Sequence, residues 1–219
     1  MFRKYEKTFR ILVPEINVRG KFYLSDEEHK RLLGGRVFVT EKLDGANIGI
    51  IRTRDGFRFQ KRGSLVDIGE HPQYGFLKAW GNQNYEKLMK IQEGWIVYGE
   101  LLKYVHTVEY DALPDWVCVF NIWDRKHYMP FDEVQSMCEE WGIQTVPLLF
   151  EGYTTRSELF QMLPNPSRYG SEKAEGIVVT NPRQQLRGKL VREEFVKHLE
   201  DHEHWRYQQL TENRLRAPE

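Results

Sequence analysis

Val39-Thr40-Glu41-Lys42-Leu43-Asp44-Gly45-Ala46-Asn47-Ile48-Gly49-Ile50 reads as the end of one strand, a tight turn and the start of a second strand. Val37, Val39 and Leu43 can face a core, and Ile48 with Ile50 resumes the alternation beyond the turn. Asp44-Gly45 supplies the turn chemistry, because glycine tolerates a positive φ and aspartate bonds to the backbone two residues on. Lys42 lies between Glu41 and Asp44, with its stem fixed and its amine pointing into whatever space the turn opens. Two readings follow. One is a hairpin with a solvated lysine, since Lys-x-Asp-Gly arises by chance in roughly one chain of this length in twenty at average composition. The other is a nucleophilic lysine that takes up a nucleotide, and the rest of the chain has to decide.

The 219 residues suffice for one large domain or two small ones, and 40% hydrophobic with 13% aromatic content is ample for a packed core. The 32 basic and 32 acidic residues cancel, so no global field draws the protein onto nucleic acid or an anionic membrane. A polyanion site must be built by local clustering, as in Arg52, Arg54, Arg58, Lys61 and Arg62. Cys118 and Cys138 form no CxxC pattern and fit reduced, buried thiols. The charged N-terminus carries no signal-peptide core and no apolar run reaches membrane-spanning length, so the expectation is a soluble intracellular protein without a membrane role.

Residues 1–24 read as an irregular or edge-strand lead-in. Ser25-Asp26-Glu27-Glu28 is a capping-box start for a helix ending at Gly34-Gly35. Strands are expected over 36–42, 47–54, 56–62 and 65–68, with Asp55-Gly56 as a hairpin turn. The spacing over 73–91 predicts two short helices divided at Gly81. A strand over 95–101 precedes one over 116–123, which is nearly continuous in apolar residues and therefore expected to be central. A helix from Pro130 to Gly142, a strand over 145–150 and a helix from Thr155 to Pro164 come next. Two last strands, 176–180 and 188–191, precede a polar tail that turns helical from about Glu193. The whole reads as one α+β domain of antiparallel sheets flanked by helices, residues 1–195, with a C-terminal tail over 196–219.

Charged residues punctuate the strands where burial without partners would be costly: Arg62 after the basic strand, Glu100 after Ile96-Val97-Tyr98-Gly99, Glu175 before Gly176-Ile177, and Lys189 before Leu190-Val191. One such residue is ordinarily a structural ion pair. Four in register with a Lys-x-Asp-Gly turn look like a pocket. In this order the segments Glu41–Asn47, Tyr98–Leu101, Val119–Asp124, Glu175–Val179 and Gly188–Arg192 resemble the signature elements of the covalent nucleotidyltransferases. Within that superfamily the match looks like the ATP-dependent RNA ligases, and it spans about residues 36–195. Asn47, two places after the glycine, is the more typical of RNA ligases.

That resemblance implies a ligase adenylation-domain, ATP-grasp-like fold and a set of roles. Lys42 would attack the α-phosphate of ATP to form a lysyl–AMP. The AMP would pass to an RNA 5′-phosphate, and a 3′-OH would then attack to seal the strand. Phe120 would stack on adenine, and Glu100 would bond the ribose. Glu100 and Glu175 would share Mg²⁺ or Mn²⁺, whose preference is for hard oxygen ligands. Arg62, Lys189 and Arg187 would hold phosphates, and Asn47 would bond the α-phosphate or orient the lysine. Glu41, Asp44 and Gly45 complete the nucleotide-binding turn. Lys42, Glu175 and Lys189 form the catalytic set. For attack Lys42 must be neutral, which Lys189 and a metal favour and neighbouring acids oppose.

Two departures stand out: the residue after the stacking aromatic is usually aspartate and here is Asn121, and the second base of the last motif is either Arg187 or Arg192. The tail is too short for the five-strand OB-fold that DNA ligases and capping enzymes append. A minimal RNA ligase is therefore expected, relying on the basic hairpin 52–62 or on a protein partner for an RNA clamp. It would act in the cytoplasm, its own or that of a host if phage- or virus-encoded. A DNA-nick ligase and an RNA-end-binding module are the alternatives. Arg52, Arg54 and Arg58 are read as alternating on one strand face. His106 either contacts RNA or satisfies a loop, and His198 with His202 share a helix face that reads first as solvated.

Overall fold

A computed structural model describes residues 2–13, 22–67, 69–195 and 210–217. Its strands are β1 (Phe9–Arg10), β2 (Val37–Lys42), β3 (Ala46–Thr53), β4 (Gly56–Lys61), β5 (Ile96–Leu101), β6 (Val117–Trp123), β7 (Leu148–Gly152), β8 (Gly176–Asn181) and β9 (Leu186–Val191). They form a five-stranded sheet in the order β1-β9-β8-β2-β7 and a four-stranded sheet in the order β4-β3-β5-β6. Apart from the short parallel β1–β9 pair, the ladders are antiparallel. Helices α1 (Asp26–Leu33), α2 (Pro72–Gln83), α3 (Tyr85–Met89), α4 (Phe131–Trp141) and α5 (Arg156–Gln161) flank the sheets, and the α+β class is the expected one.

The Asp44-Gly45 turn does not close a hairpin. β2 pairs with β7 and β8, whereas β3 pairs with β4 and β5, so Leu43–Gly45 carries the chain from one sheet to the other. Gly45 has no positive φ. Its role is close approach: a Cβ there would stand 2.4 Å from the Leu101 carbonyl oxygen and 2.9 Å from Leu102 Cδ2. Glycine lets the crossover press against the end of β5, which brings Lys42 of one sheet to face Glu100 of the other.

Each sheet has its own core. Ile48, Ile50, Val97 and Val119 pack on Leu77, Trp80, Leu88 and Val134 of the helices beside the second sheet. Val37, Val39, Ile177 and Val179 pack on Leu32 and Leu159 beside the first. At about 1.5–3 kcal/mol per fully buried aliphatic side chain, these layers fix both walls of the cleft between them. A third cluster, Tyr5, Ile51, Ile96, Tyr98, Trp123 and Tyr128, docks the N-terminal segment on the open face of the second sheet.

The capping box at Ser25 forms as expected, with Ser25 Oγ accepting from the Glu28 N–H and the Glu28 carboxylate accepting from the Ser25 N–H. Other expectations are corrected. Helix α2 runs through Gly81 and ends at Asn84; Gly81 is there because a Cβ would meet Phe59 Cζ at 2.5 Å. β6 is an edge strand of its sheet, not a central one. It is apolar because Gln144–Val146 cover its outer edge, with Val119 N–H donating to Gln144 O and Val146 N–H to Val119 O. The strand expected over 65–68 reduces to a single Gln60–Leu65 bridge among described residues, and that over 145–150 begins only at Leu148, after Pro147. Arg52 pairs with Phe57 and Arg58 with Ile51, so the two arginines lie on opposite faces. Arg52 instead caps its own hairpin, donating to the carbonyls of Arg54 and Gly56 at 3.4 and 3.0 Å.

Both cysteines are free and buried. The stretch 196–209, including His198, His202 and His204, lies outside the described residues. Leu210–Ala217 runs as an extended segment along the loop after β5, bridging Tyr104 with Glu212 and Leu113 with Leu215. Among the described residues, no helix is long and apolar enough to cross a membrane.

Candidate active site

A cleft of about 120 Å³ opens between the sheets, lined among others by Lys42, Asn47, Arg62, Glu100, Phe120 and Lys189. A wider groove of about 410 Å³ beside β4 and α2 is lined by Phe57, Phe59, Tyr74 and Tyr85. Chemistry decides between them: the smaller cleft is where titratable groups from separate strands converge with shifted pKa values.

Register explains the convergence. Lys42, at the end of β2, stands opposite Gly176, next to Glu175 at the mouth of β8. Asn47 of β3 is directly opposite Glu100 of β5, and Lys189 of β9 is opposite Val178. The Lys42 ammonium donates to Glu175 Oε2 in an ion pair whose side chains are 22% and 6% exposed. Burial works against the ammonium, but Glu175, Glu100 and Asp44 outweigh it and hold the Lys42 pKa above its ordinary value. Burial, reinforced by Glu175 and Asp44, pushes Glu100 up to about 7. Burial and the charge of Lys42 bring Lys189 down to about 8.

The two acids beside Lys42 have separate tasks. Successive strand residues point to opposite faces, and the Glu41 carboxylate accordingly turns away from Lys42. It accepts from Ser167 Oγ–H and, at 3.0 Å, from the Arg168 N–H. Asp44 Oδ2 accepts from the N–H groups of Thr107 and Val108 at 2.7 and 3.1 Å, and the Asp44 N–H donates to Tyr110 Oη at 2.8 Å. Glu100 Oε1 accepts from the Gly45 N–H at 3.2 Å. Glu41, Asp44 and Gly45 therefore set the shape of the turn. Asn47 Oδ1 is buried without a hydrogen-bond partner, an amide end left over for a ligand.

The expected basic residues divide. Arg62 and Lys189 line the cleft. Arg187 does not: its guanidinium stacks on Tyr5 and Tyr128, 4.1 and 4.6 Å from the ring centroids, and lies 3.6 Å from Glu6. Arg192 donates to the carbonyls of Ala174, Leu163 and Pro164 and so holds the approach to Glu175. Asn121 is buried at the cleft and donates to Tyr5 Oη at 3.4 Å, while Asp124 is spent on the N–H groups of Lys126 and His127. His106 lies within electrostatic reach of Asp44 and Lys42, and burial lowers its pKa.

Sequence reasoning passed over the N-terminal segment. Tyr5, Lys7 and Thr8 line the cleft, and the Tyr5 ring meets Phe120 edge-on at 5.3 Å. Its only signal was an aromatic residue set among charges, with no strand or helix period. Among the described residues no group of three or more His, Cys, Asp or Glu side chains is arranged to hold a metal. Glu100 and Glu175 remain as a two-carboxylate donor pair, which fits a cation that keeps water and phosphate oxygens as its other ligands.

Comparison with known proteins bears on this arrangement. No curated protein matches the sequence. Solved structures of Naegleria gruberi RNA ligase share the fold. One, a lysine-to-methionine mutant with AMP and Mn, superposes with a TM-score of 0.65 at 20% identity over 80% of this chain and 55% of that one. A second, with pyrophosphate, gives 0.66 at 19% identity, and a third, a mutant with ATP and Mn, gives 0.65 at 18%, both with the same coverage. This chain thus spans about 55% of the length of those structures. The RNA ligase family model matches residues 35–197, which takes in β2 to β9 with Lys42, Arg62, Glu100, Glu175 and Lys189. The chain belongs to the RNA ligase family.

Proposed function

We propose that the protein is an ATP-dependent RNA ligase that is adenylated on Lys42. The observation that carries this reading is the meeting of Lys42, Glu100 and Lys189, each from a different strand, in one cleft walled by Phe120, with Glu175, just ahead of β8, paired to Lys42. The Naegleria structures with ATP, AMP, Mn and pyrophosphate support the choice of substrate.

Lys42 Nζ forms a bond to the α-phosphorus as the bond to the bridging oxygen breaks, and pyrophosphate leaves with that electron pair. The proton Lys42 gives up passes to Glu175, its hydrogen-bond partner, or to water. Arg62 and Lys189 balance the charge that gathers on the leaving group. Asn47 Nδ2 would donate to the α-phosphate, while the unpartnered Oδ1, an acceptor, suits the Lys42 amine or another donor, and Phe120 supplies an aromatic face for adenine. Glu100 and Glu175 would hold Mg²⁺ or Mn²⁺, which when bound supplies positive charge that loosens the carboxylates' grip on the Lys42 proton. The nucleotidyl group then passes to an RNA 5′-phosphate, and a 3′-OH displaces AMP to close the phosphodiester.

Incubation with α-labelled ATP and Mg²⁺ tests the reading. An acid-labile label should appear on the wild-type chain and be absent from Lys42→Ala; an unlabelled wild-type chain refutes it. Offering nicked duplexes and single strands with RNA or DNA ends to the labelled protein then separates an RNA ligase from a DNA-nick ligase.

A further inference from the structure

The segment Leu210–Ala217 is far from Lys42 in sequence, yet its hydrogen bonds lead there. Asn213 is only 2% exposed and joins three pieces of backbone. Its N–H donates to Lys103 O at 3.1 Å, its Nδ2 to Leu102 O at 2.8 Å, and its Oδ1 accepts from the Tyr110 N–H at 2.8 Å. Neighbouring residues extend the clasp. Val105 N–H donates to Thr211 O, Arg214 N–H to Tyr110 O, Leu113 N–H to Arg214 O and Arg216 N–H to Leu113 O. Lys103 pairs with Glu212 at 2.6 Å.

The clasped loop, residues 102–113, is the one that holds the turn after Lys42. Tyr110, fully buried, presents its Oη to the Asp44 N–H, and the N–H groups of Thr107 and Val108 fix the Asp44 carboxylate. A continuous line of hydrogen bonds therefore runs from Asn213 through Tyr110 to Asp44, two residues from Lys42. Crossovers between sheets lack ladder partners of their own, so the register of this one depends on such outside bonds. Tertiary bonds of this kind cost free energy when one partner is deleted and the other stays buried.

We infer that Asn213 is a positioning residue for the nucleophile: the C-terminal segment clasps loop 102–113 and so fixes the Asp44-Gly45 crossover that aims Lys42. This rests on the adenylation reading above. Displacing a reacting atom by about 1 Å can cost on the order of 100-fold in rate without touching the substrate.

The experiment combines single-turnover adenylation with amide hydrogen exchange in the ATP-free protein. Asn213→Ala is expected to slow Lys42 adenylation at saturating ATP by about 10-fold or more, with the KM for ATP within about twofold of wild type. Tyr110→Phe, which removes one oxygen and keeps the ring packed, should do the same, and the double variant should be no slower than the slower single. Exchange at the Asp44, Thr107 and Val108 amides should rise in Asn213→Ala while Ile50 and Val97 stay protected. Adenylation by Asn213→Ala at the wild-type rate, multiplicative single effects, or exchange that rises equally across both sheets would each overturn the inference. Loss of the label from the wild-type chain would instead remove the ligase reading and leave the exchange result standing.

Discussion

At one end of the cleft Lys42 stands among Glu175, Glu100 and Asp44, and its pKa lies above the ordinary lysine value. On β9, half-buried Lys189 is drawn down to about 8 by desolvation and by the charges of Lys42, Arg10 and Arg62, against the pull of Glu175. The same side chain thus meets opposite fields within one cavity. Lys42 is held charged in the resting protein, and Lys189 gives up its proton the more readily of the two. Residue type alone would not have assigned these roles. In this reading the incoming phosphates restore the charge on Lys189, and a cation on the carboxylates releases Lys42.

The largest effect that tests this contrast comes from the cationic end. Lys189→Met should reduce single-turnover adenylation by about 100-fold or more, the usual consequence of deleting a group that meets charge developing in the transition state. Stopped label incorporation at saturating ATP measures it. A fall of less than about threefold would show that the depressed Lys189 pKa is a by-product of burial and that Arg62 carries the phosphates alone.

The pH dependence separates the two ends. Activity should climb as Glu100 ionises near 7 and fall as Lys189 loses its proton near 8, giving a narrow bell. Glu100→Gln should erase the acid limb, and Lys189→Arg should carry the alkaline limb upward. The sign for stability is opposite for the acid limb. Because folding raises the Glu100 pKa, its contribution to stability is complete below the unfolded value of 4.5 and is lost as pH rises through about 7. For Lys189, lowered from 10.5 to about 8, stability falls as pH drops between those values. The ATP-free protein should therefore be least stable between 7 and 8, and Glu100→Gln should raise its Tm at pH 8 by about 2–6 °C. A flat or lowered Tm in Glu100→Gln would mean that Glu100 is held charged by Lys42 and not strained by burial.

Charges placed at strand ends pointed to Lys42, Arg62, Glu100 and Lys189, the resemblance to RNA ligases added Asn47 and Phe120, and all six line the cleft. What periodicity could not convey was partnership. The crossover at Asp44-Gly45 looks the same in sequence whether it joins paired strands or two sheets, and only the pairing of β2 with β8 and of β3 with β5 tells them apart. Arg187 and Arg192 carry the right charge near the right strand. The Tyr5 and Tyr128 rings engage one, and a set of carbonyls binds the other. Asn213 and Tyr5 were illegible for a related reason: each acts by long-range contact from a segment with no repeat of its own.

The smallest expected effect concerns how far the cationic end extends along β4. Arg58 is exposed and shares its sheet face with Gln60 and Ile51, the face on which the N-terminal segment docks, whereas Arg52 lies on the other face. Arg58→Ala should weaken RNA end-joining by a few-fold at 0.15 M salt and lower the salt slope by about one, as expected for a single lost phosphate contact, while leaving adenylation and Tm unchanged. Arg52→Ala should do the reverse. Losing its bonds to the carbonyls of Arg54 and Gly56 costs about 1 kcal/mol of stability, with little change in the salt dependence of joining. Joining rates across a salt series, set beside melting curves, distinguish the two. If Arg52→Ala alters the salt slope and Arg58→Ala does not, RNA lies along the helix-covered side of β4, and the cationic end of the cleft stops at Arg62.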